Sequence, residues 1–197
     1  MATKDTRARS LTRDDWSQAG LAAMAAGGVR SIAVEPLAKT LGATKGSFYW
    51  HFRDRADLVR AVLERWEKED TQRVIEGLES VDDPRERLRL LLTGILTRLP
   101  ARPDTIVALT GDQDELVRSV LERVTARRIG FVAEQVESYG IPPGEASRRA
   151  LLAYTSYVGF AMLARSAPGV LPVGDAVPAY VETMLAALLT GDRLRAW

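Results

Sequence analysis

A short segment of the chain, residues 44–51, concentrates side chains that fit contacts to nucleic acid. Thr44 and the free N–H groups of a helix that begins after it can bind a phosphate. Lys45 can reach either a phosphate or a base edge. Gly46 has no side chain, which lets a nucleic-acid backbone approach closely.

The rest of this segment carries side chains that fit the same purpose. Ser47 and Trp50 can project toward base edges or thymine methyl groups. Tyr49 and His51 end in donors suited to phosphate oxygens. His51 is the only histidine of the chain, and as a catalytic base it would need a partner within reach. Its aromatic and basic neighbours favour a phosphate or capping role instead.

Two short predicted helices position these residues. The first spans about residues 34–41 and ends at Gly42, and the second spans about residues 45–51 with Thr44 as its N-cap. Two short helices joined by a glycine-containing turn of about three residues form a helix-turn-helix, whose second helix lies in the major groove of DNA.

A preceding helix completes a small head. Thr12 and Asp15 have the spacing of a capping box, and Gly27 with Gly28 ends the helix that starts there. Phe48 and Phe52 lie four residues apart, so they share the face opposite to the polar one. We expect both rings in the core of a three-helix unit.

The remainder of the chain reads as further helices. Asp54 and Asp57 predict another N-cap, from which one long helix runs to near Leu78. Helical segments separated by Pro- and Gly-containing breaks continue to about Leu189, and no alternating strand pattern occurs. The predicted fold class is all-α: an N-terminal three-helix helix-turn-helix head and a body of about six helices.

Composition excludes several classes of function. The chain has 197 residues, of which 46% are hydrophobic, so it can bury a sizeable core. It has no cysteine, which excludes disulfides and thiolate metal sites. No Glu-x-x-His motif or other cluster of nucleophile, base and metal ligands occurs. We therefore predict no catalytic residues, no metal site, no cofactor and no enzymatic activity.

The charge distribution and the apolar runs bear on partners and location. Residues 1–60 hold ten Lys/Arg and six Asp/Glu, whereas the other 137 residues hold seventeen and twenty, which together give the net charge of +1. A basic head on an acidic body fits a DNA-binding module joined to another domain. The polar N-terminus and the absence of a run of ~20 apolar residues predict no membrane association and a cytoplasmic location.

The segment GATKGSFYWHF, residues 42–52, followed by Arg55 and Leu58, resembles the signature around the recognition helix of the tetracycline-repressor (TetR) family. The spacing of Gly27 and of Leu37 with Ala38 is also similar. The resemblance covers about 50 residues, and beyond them the chain is similar to the family only in its helical architecture.

The resemblance implies which residues contact DNA. Arg55 takes a position that is usually lysine, at the start of the fourth helix and near the DNA backbone. Ala33 stands where the family commonly has a threonine that caps the second helix and touches phosphate, so the phosphate contact there is expected to be weaker. The expected DNA-binding residues are Thr44, Lys45, Gly46, Ser47, Tyr49, Trp50, His51 and Arg55.

The expected domains are a flexible N-terminal arm at residues 1–9, the helix-turn-helix domain at 10–56 and a regulatory, ligand-binding and dimerisation domain at 57–197. Arg7, Arg9 and Arg13 fit either an arm along DNA or a solvated tail. The paired Arg127 and Arg128 are interpreted as surface charge.

Two sites are expected in the body, since the last two long helices of the family usually form a dimer interface. Residues at helical spacing with small or apolar side chains fit that homodimer interface: Ala153, Gly159, Val181, Met184, Leu185 and Leu188. Aromatic and aliphatic residues fit a pocket for an apolar or amphipathic effector: Trp66, Leu92, Ile95, Phe131 and Tyr157.

The function implied by the resemblance is a sequence-specific DNA-binding transcriptional regulator. It would be a repressor that a small-molecule effector releases from a double-stranded operator. The alternative is a non-catalytic helical protein-interaction module, which would leave the basic, aromatic third helix unexplained.

Overall fold

The computed structural model of the protein describes residues 11–99 and 105–190. Within these ranges all regular structure is helical and no strand occurs, so the predicted all-α class is confirmed. No helix of the described ranges is both long and apolar enough to cross a membrane. The N-terminal arm predicted at residues 1–9 lies outside the described residues.

The chain divides into two compact units, Met1–Arg65 and Trp66–Trp197. The helices of the first unit are α1 (Arg13–Gly27), α2 (Val34–Thr40), α3 (Lys45–Tyr49) and most of α4 (Arg55–Glu67), with a short 3-10 segment at Val29–Ser31. The second unit begins with a π-helical turn at Lys68–Gln72 and continues with α5 (Arg73–Glu79), α6 (Pro84–Arg98), α7 (Thr105–Leu109), α8 (Glu115–Ser138), α9 (Pro143–Ser166) and α10 (Ala176–Leu189).

The ends of α1 follow from their capping residues. The Thr12 side chain accepts from the backbone N–H of Asp15 at 3.2 Å, and the Asp15 carboxylate accepts from the N–H of Thr12 at 2.8 Å. This is the predicted capping box. At the other end Gly28 has φ 73°, a conformation that L-residues with side chains rarely adopt, and its N–H donates to Met24.

The first unit closes around a small aromatic core. Trp16, Phe48 and Phe52 are at most 2% exposed, with Trp16 edge-on to Phe48 and Phe48 stacked on Phe52, both at 5.4 Å between ring centroids. A Cβ at Gly20 would lie 2.5 Å from Cγ2 of Val62, so α1 and α4 approach closely only because residue 20 is glycine. The predicted core role of both phenylalanines agrees with this packing.

The division between the units lies nine residues later than the boundary expected at residue 56. The reason is the first half of α4, in which Leu58, Val59, Val62 and Leu63 are at most 3% exposed and belong to the first unit. The spacing of these apolar side chains shows that one face of the helix is buried. It does not show whether that face packs in the core of the first unit or of the second.

The long helix predicted from Asp54 to near Leu78 is interrupted. Between α4 and α5 the chain makes the π-helical turn Lys68–Gln72, in which Thr71 is only 2% exposed. Its hydroxyl accepts from Nε of Arg128 at 2.9 Å. π-helical turns are rare and commonly mark functional positions within helices.

The second unit is a helical bundle whose main core joins α6, α8, α9 and α10. Leu88 and Leu92 of α6, Val136 of α8, Phe160 of α9 and Leu185 of α10 are among its buried members. A smaller cluster of Ile75, Leu78 and Phe131 adjoins the cavity described below.

Candidate nucleic-acid interface and ligand cavity

The turn between α2 and α3 is set by a short network of backbone hydrogen bonds. Gly42 has φ 63°, and its N–H donates to Lys39, while the N–H of Ala43 donates to Ala38 at 2.8 Å. The Thr44 hydroxyl then accepts from the N–H of Ser47 at 3.2 Å and starts α3 as the predicted N-cap. These contacts produce the two-helix geometry that the spacing predicted.

One face of α3 presents its largest side chains to solvent. Trp50 is 87% exposed and Tyr49 is 57% exposed, although a chain of this size can bury aromatic rings in its core. Lys45 is also exposed, and Ser47 is half-buried. Two adjacent exposed aromatic rings form an apolar patch of the kind that marks interaction sites.

Gly46 lies on the same face, and none of the described residues requires a glycine there. A Cβ at this position would meet only the Thr44 hydroxyl, at an ordinary 3.6 Å. Its φ is outside the left-handed region. The space beside Gly46 is therefore open on the protein side, which suits close approach by an external molecule.

Lys45 is held by an ion pair in the absence of a partner. Its Nζ donates to Oε1 of Glu35 at 2.7 Å. The hydrogen bond and the charge of each side chain lower the pKa of Glu35 and raise the pKa of Lys45. The charge predicted to meet DNA is thus neutralised by a carboxylate of α2.

His51 lies in the turn that follows α3, and its carbonyl accepts from Nη1 of Arg13. The same guanidinium donates to Asp57 at 2.9 Å and lies 4.2 Å from the centroid of Phe52. The hydrogen bond from Arg13, together with one from the backbone N–H of Arg53, lowers the pKa of Asp57. Arg13 therefore joins the start of α1 to the start of α4 inside the head.

The Arg55 side chain makes hydrogen bonds within the first unit. Its Nε donates to the carbonyl of Ile32 at 2.6 Å, and its Nη2 donates to the carbonyl of Val29 at 2.7 Å. Both acceptors belong to the 3-10 segment and its end. The side chain that the resemblance placed near the DNA backbone thus positions the chain that leads into α2.

Ala33 is the N-cap residue of α2. Its backbone is extended, with φ −126° and ψ 136°, which is the geometry of a capping residue, but it makes no side-chain cap hydrogen bond. The missing cap expected from alanine is therefore present in the structure, and the weaker phosphate contact stays a prediction.

A cavity of about 140 Å³ lies within the second unit. Four of the five residues expected at a pocket line it: Leu92, Ile95, Phe131 and Tyr157. Trp66 is fully buried but is not part of the lining, and its ring instead lies 5.4 Å from the guanidinium of Arg128. Further lining residues are Asp70, Thr71, Val74, Ile75, Leu91, Arg98, Leu99, Thr105, Arg128, Val132, Ala153 and Tyr154.

Arg128 is a cavity-lining residue that the sequence did not indicate. It was interpreted as surface charge together with Arg127, yet it lines the cavity and donates to Tyr157 Oη at 3.1 Å. Two adjacent arginines on a helix point in directions about 100° apart, so one can be solvated while the other faces inward. Composition alone cannot show which one does.

Comparison with known proteins identifies the head. Residues 18–62 match the family model described as bacterial regulatory proteins, tetR family. Over these residues the chain is similar to this family. The match covers α2, the turn and α3, which are the elements whose geometry is described above.

Similar proteins include several transcriptional regulators. The HTH-type transcriptional regulator AcrR of Shigella flexneri is 31% identical over 97 residues, which are 49% of this chain and 45% of that protein. The chain thus matches less than half of the length of this curated relative. CifR, solved with 26-bp operator DNA, has a TM-score of 0.72 at 22% identity over 92% of this chain and 99% of its own. FadR of Bacillus subtilis, solved with stearoyl-CoA, has a TM-score of 0.63 at 16% identity over 90% and 98%.

The residues expected at the TetR dimer interface take two different places. Val181, Leu185 and Leu188 of α10 are at most 4% exposed in the core of the same protomer, and Ala153 of α9 is 9% exposed and lines the cavity. These side chains are covered by their own chain. Gly159 and Met184 are half-buried.

Other residues form the outer faces of the last two long helices. Leu151, Leu152, Met162 and Leu163 of α9 are 41–60% exposed, and Tyr180 of α10 is 36% exposed. Four exposed positions of α10 carry small side chains, and among them Glu182 is charged and pairs with Arg85. The small residues are Ala179, Thr183, Ala186 and Ala187. Small side chains beside exposed leucines permit another helix to pack closely.

Proposed function

We propose that the protein is a sequence-specific, DNA-binding transcriptional regulator that acts as a homodimer. The observation that carries this proposal is the exposed face of α3, where Lys45, Tyr49 and Trp50 stand in solvent on a helix fixed by the capped turn. Within a tetR-family head, this is the helix that reads the major groove.

The residues of this face have distinct proposed roles. Trp50 and Ser47 approach base edges and thymine methyl groups, while Tyr49 and His51 contact phosphates. Lys45 exchanges Glu35 for a phosphate or a base edge when DNA binds. Thr44 fixes the first turn of α3, and Gly46 leaves the space through which the DNA backbone approaches.

Arg55 has a structural part in this proposal. Its two hydrogen bonds to Ile32 and Val29 hold the segment before α2. Because α2 lacks a side-chain cap at Ala33, that segment depends more strongly on the guanidinium than a capped helix would.

The proposed dimer forms through the outer faces of α9 and α10. Two protomers related by a two-fold axis would bury Leu152, Met162 and Tyr180 against the small residues of α10. The buried side chains of α9 and α10 pack in the core of the same protomer and hold the two helices in position. A dimer also presents two α3 helices to successive major grooves, roughly 34–36 Å apart.

The proposed regulation is release from DNA by a small molecule that occupies the cavity of the second unit. A ligand that binds one conformation of the dimer more tightly than the other shifts the population toward it. The predominantly apolar lining favours an apolar or amphipathic effector. A regulator that binds chromosomal DNA would act in the cytoplasm, and we propose repression as its mode of action.

Charge removal in α3 tests the DNA-binding role. Lys45→Gln should weaken binding to a selected operator roughly tenfold and reduce the salt slope by about one, because one cationic contact is lost. Lys68→Gln removes the same charge from an exposed position of the second unit and should leave binding unchanged. Equal affinities of both variants, with equal melting temperatures, would exclude α3 as the DNA-reading helix.

A further inference from the structure

The charged residues of the cavity are unevenly balanced. Its walls are largely aliphatic and aromatic, but two arginines, Arg98 and Arg128, share the lining with one carboxylate, Asp70. Arg98 lies on an exposed part of α6, whereas Arg128 is half-buried on α8. A half-buried guanidinium beside apolar walls is costly unless an anion or several acceptors compensate its charge.

Arg128 is held in place by neutral groups. Its Nε donates to the Thr71 hydroxyl at 2.9 Å, its Nη2 to the carbonyl of Asp70 at 3.1 Å and its Nη1 to Tyr157 Oη at 3.1 Å. Two of these acceptors belong to the π-helical turn at Lys68–Gln72. The rings of Trp66 and Tyr157 lie 5.4 and 5.9 Å from the guanidinium carbon. The side chain is thus oriented before any ligand binds.

Arg128 differs from the other arginines of α8. Arg118 lies 3.6 Å from Glu115, Arg127 lies 3.6 Å from Glu134, and Arg123 donates from Nε to Glu67 at 2.9 Å. Arg128 has no ion pair among the described residues. Its three hydrogen bonds also leave two of the five N–H donors of a guanidinium for another acceptor.

We propose that the cavity binds an amphipathic monocarboxylate whose acid group pairs with Arg128. A guanidinium matches a carboxylate with two parallel N–H···O bonds, and such pairs are stronger where water is excluded. The apolar body of the ligand lies against Leu92, Ile95 and Phe131. This inference rests on the effector role proposed above and names the chemical class of the effector.

The size of the cavity limits the ligand. One water molecule needs a cavity of ~10–15 Å³. The cavity of about 140 Å³ therefore holds on the order of ten groups of that size. A saturated acid such as decanoate, with about a dozen non-hydrogen atoms, is of that order. A cationic amphiphile is disfavoured because it would meet two arginines on the same lining as Asp70.

Calorimetric titration of the DNA-free protein with three compounds of equal chain length tests the proposal: decanoate, decanol and decylamine. Decanoate should bind at least about tenfold more tightly than the other two, because only it pairs with the guanidinium. Equal binding of decanoate and decanol, tightest binding of decylamine, or no binding of decanoate would overturn the assignment.

Matched variants assign the preference to Arg128. Arg128→Met should reduce the affinity for decanoate about tenfold or more and leave the affinity for decanol unchanged, while Arg128→Lys should restore part of the loss. Arg127→Met removes the neighbouring, solvent-facing charge and should bind decanoate like the unmodified protein. If Arg127→Met has the larger effect, the proposal fails. If Arg128→Met does not fold, the three-compound comparison on the unmodified protein still decides.

Operator binding separates this proposal from the function on which it rests. Operator release by decanol as readily as by decanoate would reject the carboxylate class and keep the effector role. Decanoate binding that depends on Arg128 but leaves operator affinity unchanged would keep the ligand class and reject the effector role. Both are measured with the full chain and the same selected operator.

Discussion

Lys45 and Glu35 form an ion pair, 2.7 Å between Nζ and Oε1, at the helix-turn-helix surface. DNA must compete with this carboxylate for the ammonium group, and Glu35 itself repels phosphates. Glu35→Gln should therefore tighten operator binding by roughly two- to fivefold at low salt, with a smaller gain at high salt because exposed charges are screened.

Fluorescence anisotropy with labelled operator measures this gain. The control is Glu64→Gln, which removes an exposed carboxylate from the same unit away from Lys45. Weaker binding by Glu35→Gln would mean that the ion pair orients Lys45 for DNA instead of competing with DNA.

Substitution of Arg55 distinguishes a structural role of this side chain from a direct contact with DNA. Arg55→Lys keeps the charge but cannot reproduce both bonds to Ile32 and Val29, so it should lower the free energy of unfolding by about 1 kcal/mol. Arg60→Lys, five residues later at an exposed position of α4, should leave the free energy of unfolding unchanged. Thermal and urea denaturation measure both variants. Unchanged stability together with lost DNA affinity would assign Arg55 to the phosphate backbone.

Ala33 is a position where a capping residue can be added. Its extended backbone already suits an N-cap, so Ala33→Ser should stabilise the protein by about 0.5–1 kcal/mol by accepting from an N–H of the first turn of α2. Ala26→Ser, at an exposed position within α1, should be neutral or slightly destabilising. Urea denaturation compares the two, and equal effects would show that residue 33 does not act as a cap.

The outer face of α9 tests the proposed dimer. Leu152 is 60% exposed, and Leu152→Glu should place a charge in the interface and convert the dimer to a monomer without loss of helix content. Leu90→Glu makes the same change at the exposed leucine of α6 and should remain dimeric. Sedimentation analysis distinguishes the states. A dimeric Leu152→Glu protein would place the interface elsewhere.

The parts of the fold that were predictable depend on local physical chemistry. Thr12 with Asp15 and Thr44 cap their helices through hydrogen bonds within three residues, so sequence alone indicates these helix starts. The exposed surface of α3 is also determined locally, because Phe48 and Trp50 are two positions apart and point in opposite directions. The starts of α1 and α3 follow from these patterns, whereas α3 ends at Tyr49, two residues before the predicted end.

The parts that were not predictable depend on contacts distant in sequence. The spacing of apolar residues on α10 is the same for a core face and a dimer face, so it could not show that Val181 and Leu185 are covered by their own chain. The π-helical turn has no apolar signature, and it depends in part on Arg128, 57 residues beyond Thr71. For the same reason neither the inward orientation of Arg128 nor the structural contacts of Arg55 could be read from neighbouring residues.

The most direct test of the central claim is anisotropy of the unmodified protein on DNA enriched by selection from a random pool, against a scrambled duplex of equal length, at several salt concentrations. A sequence-reading dimer should bind the selected, pseudo-palindromic DNA at least about 10³-fold more tightly, with a salt slope equivalent to several phosphate contacts. Failure of the selection to enrich any sequence, with equal binding of both duplexes, would contradict the claim that this head reads DNA sequence.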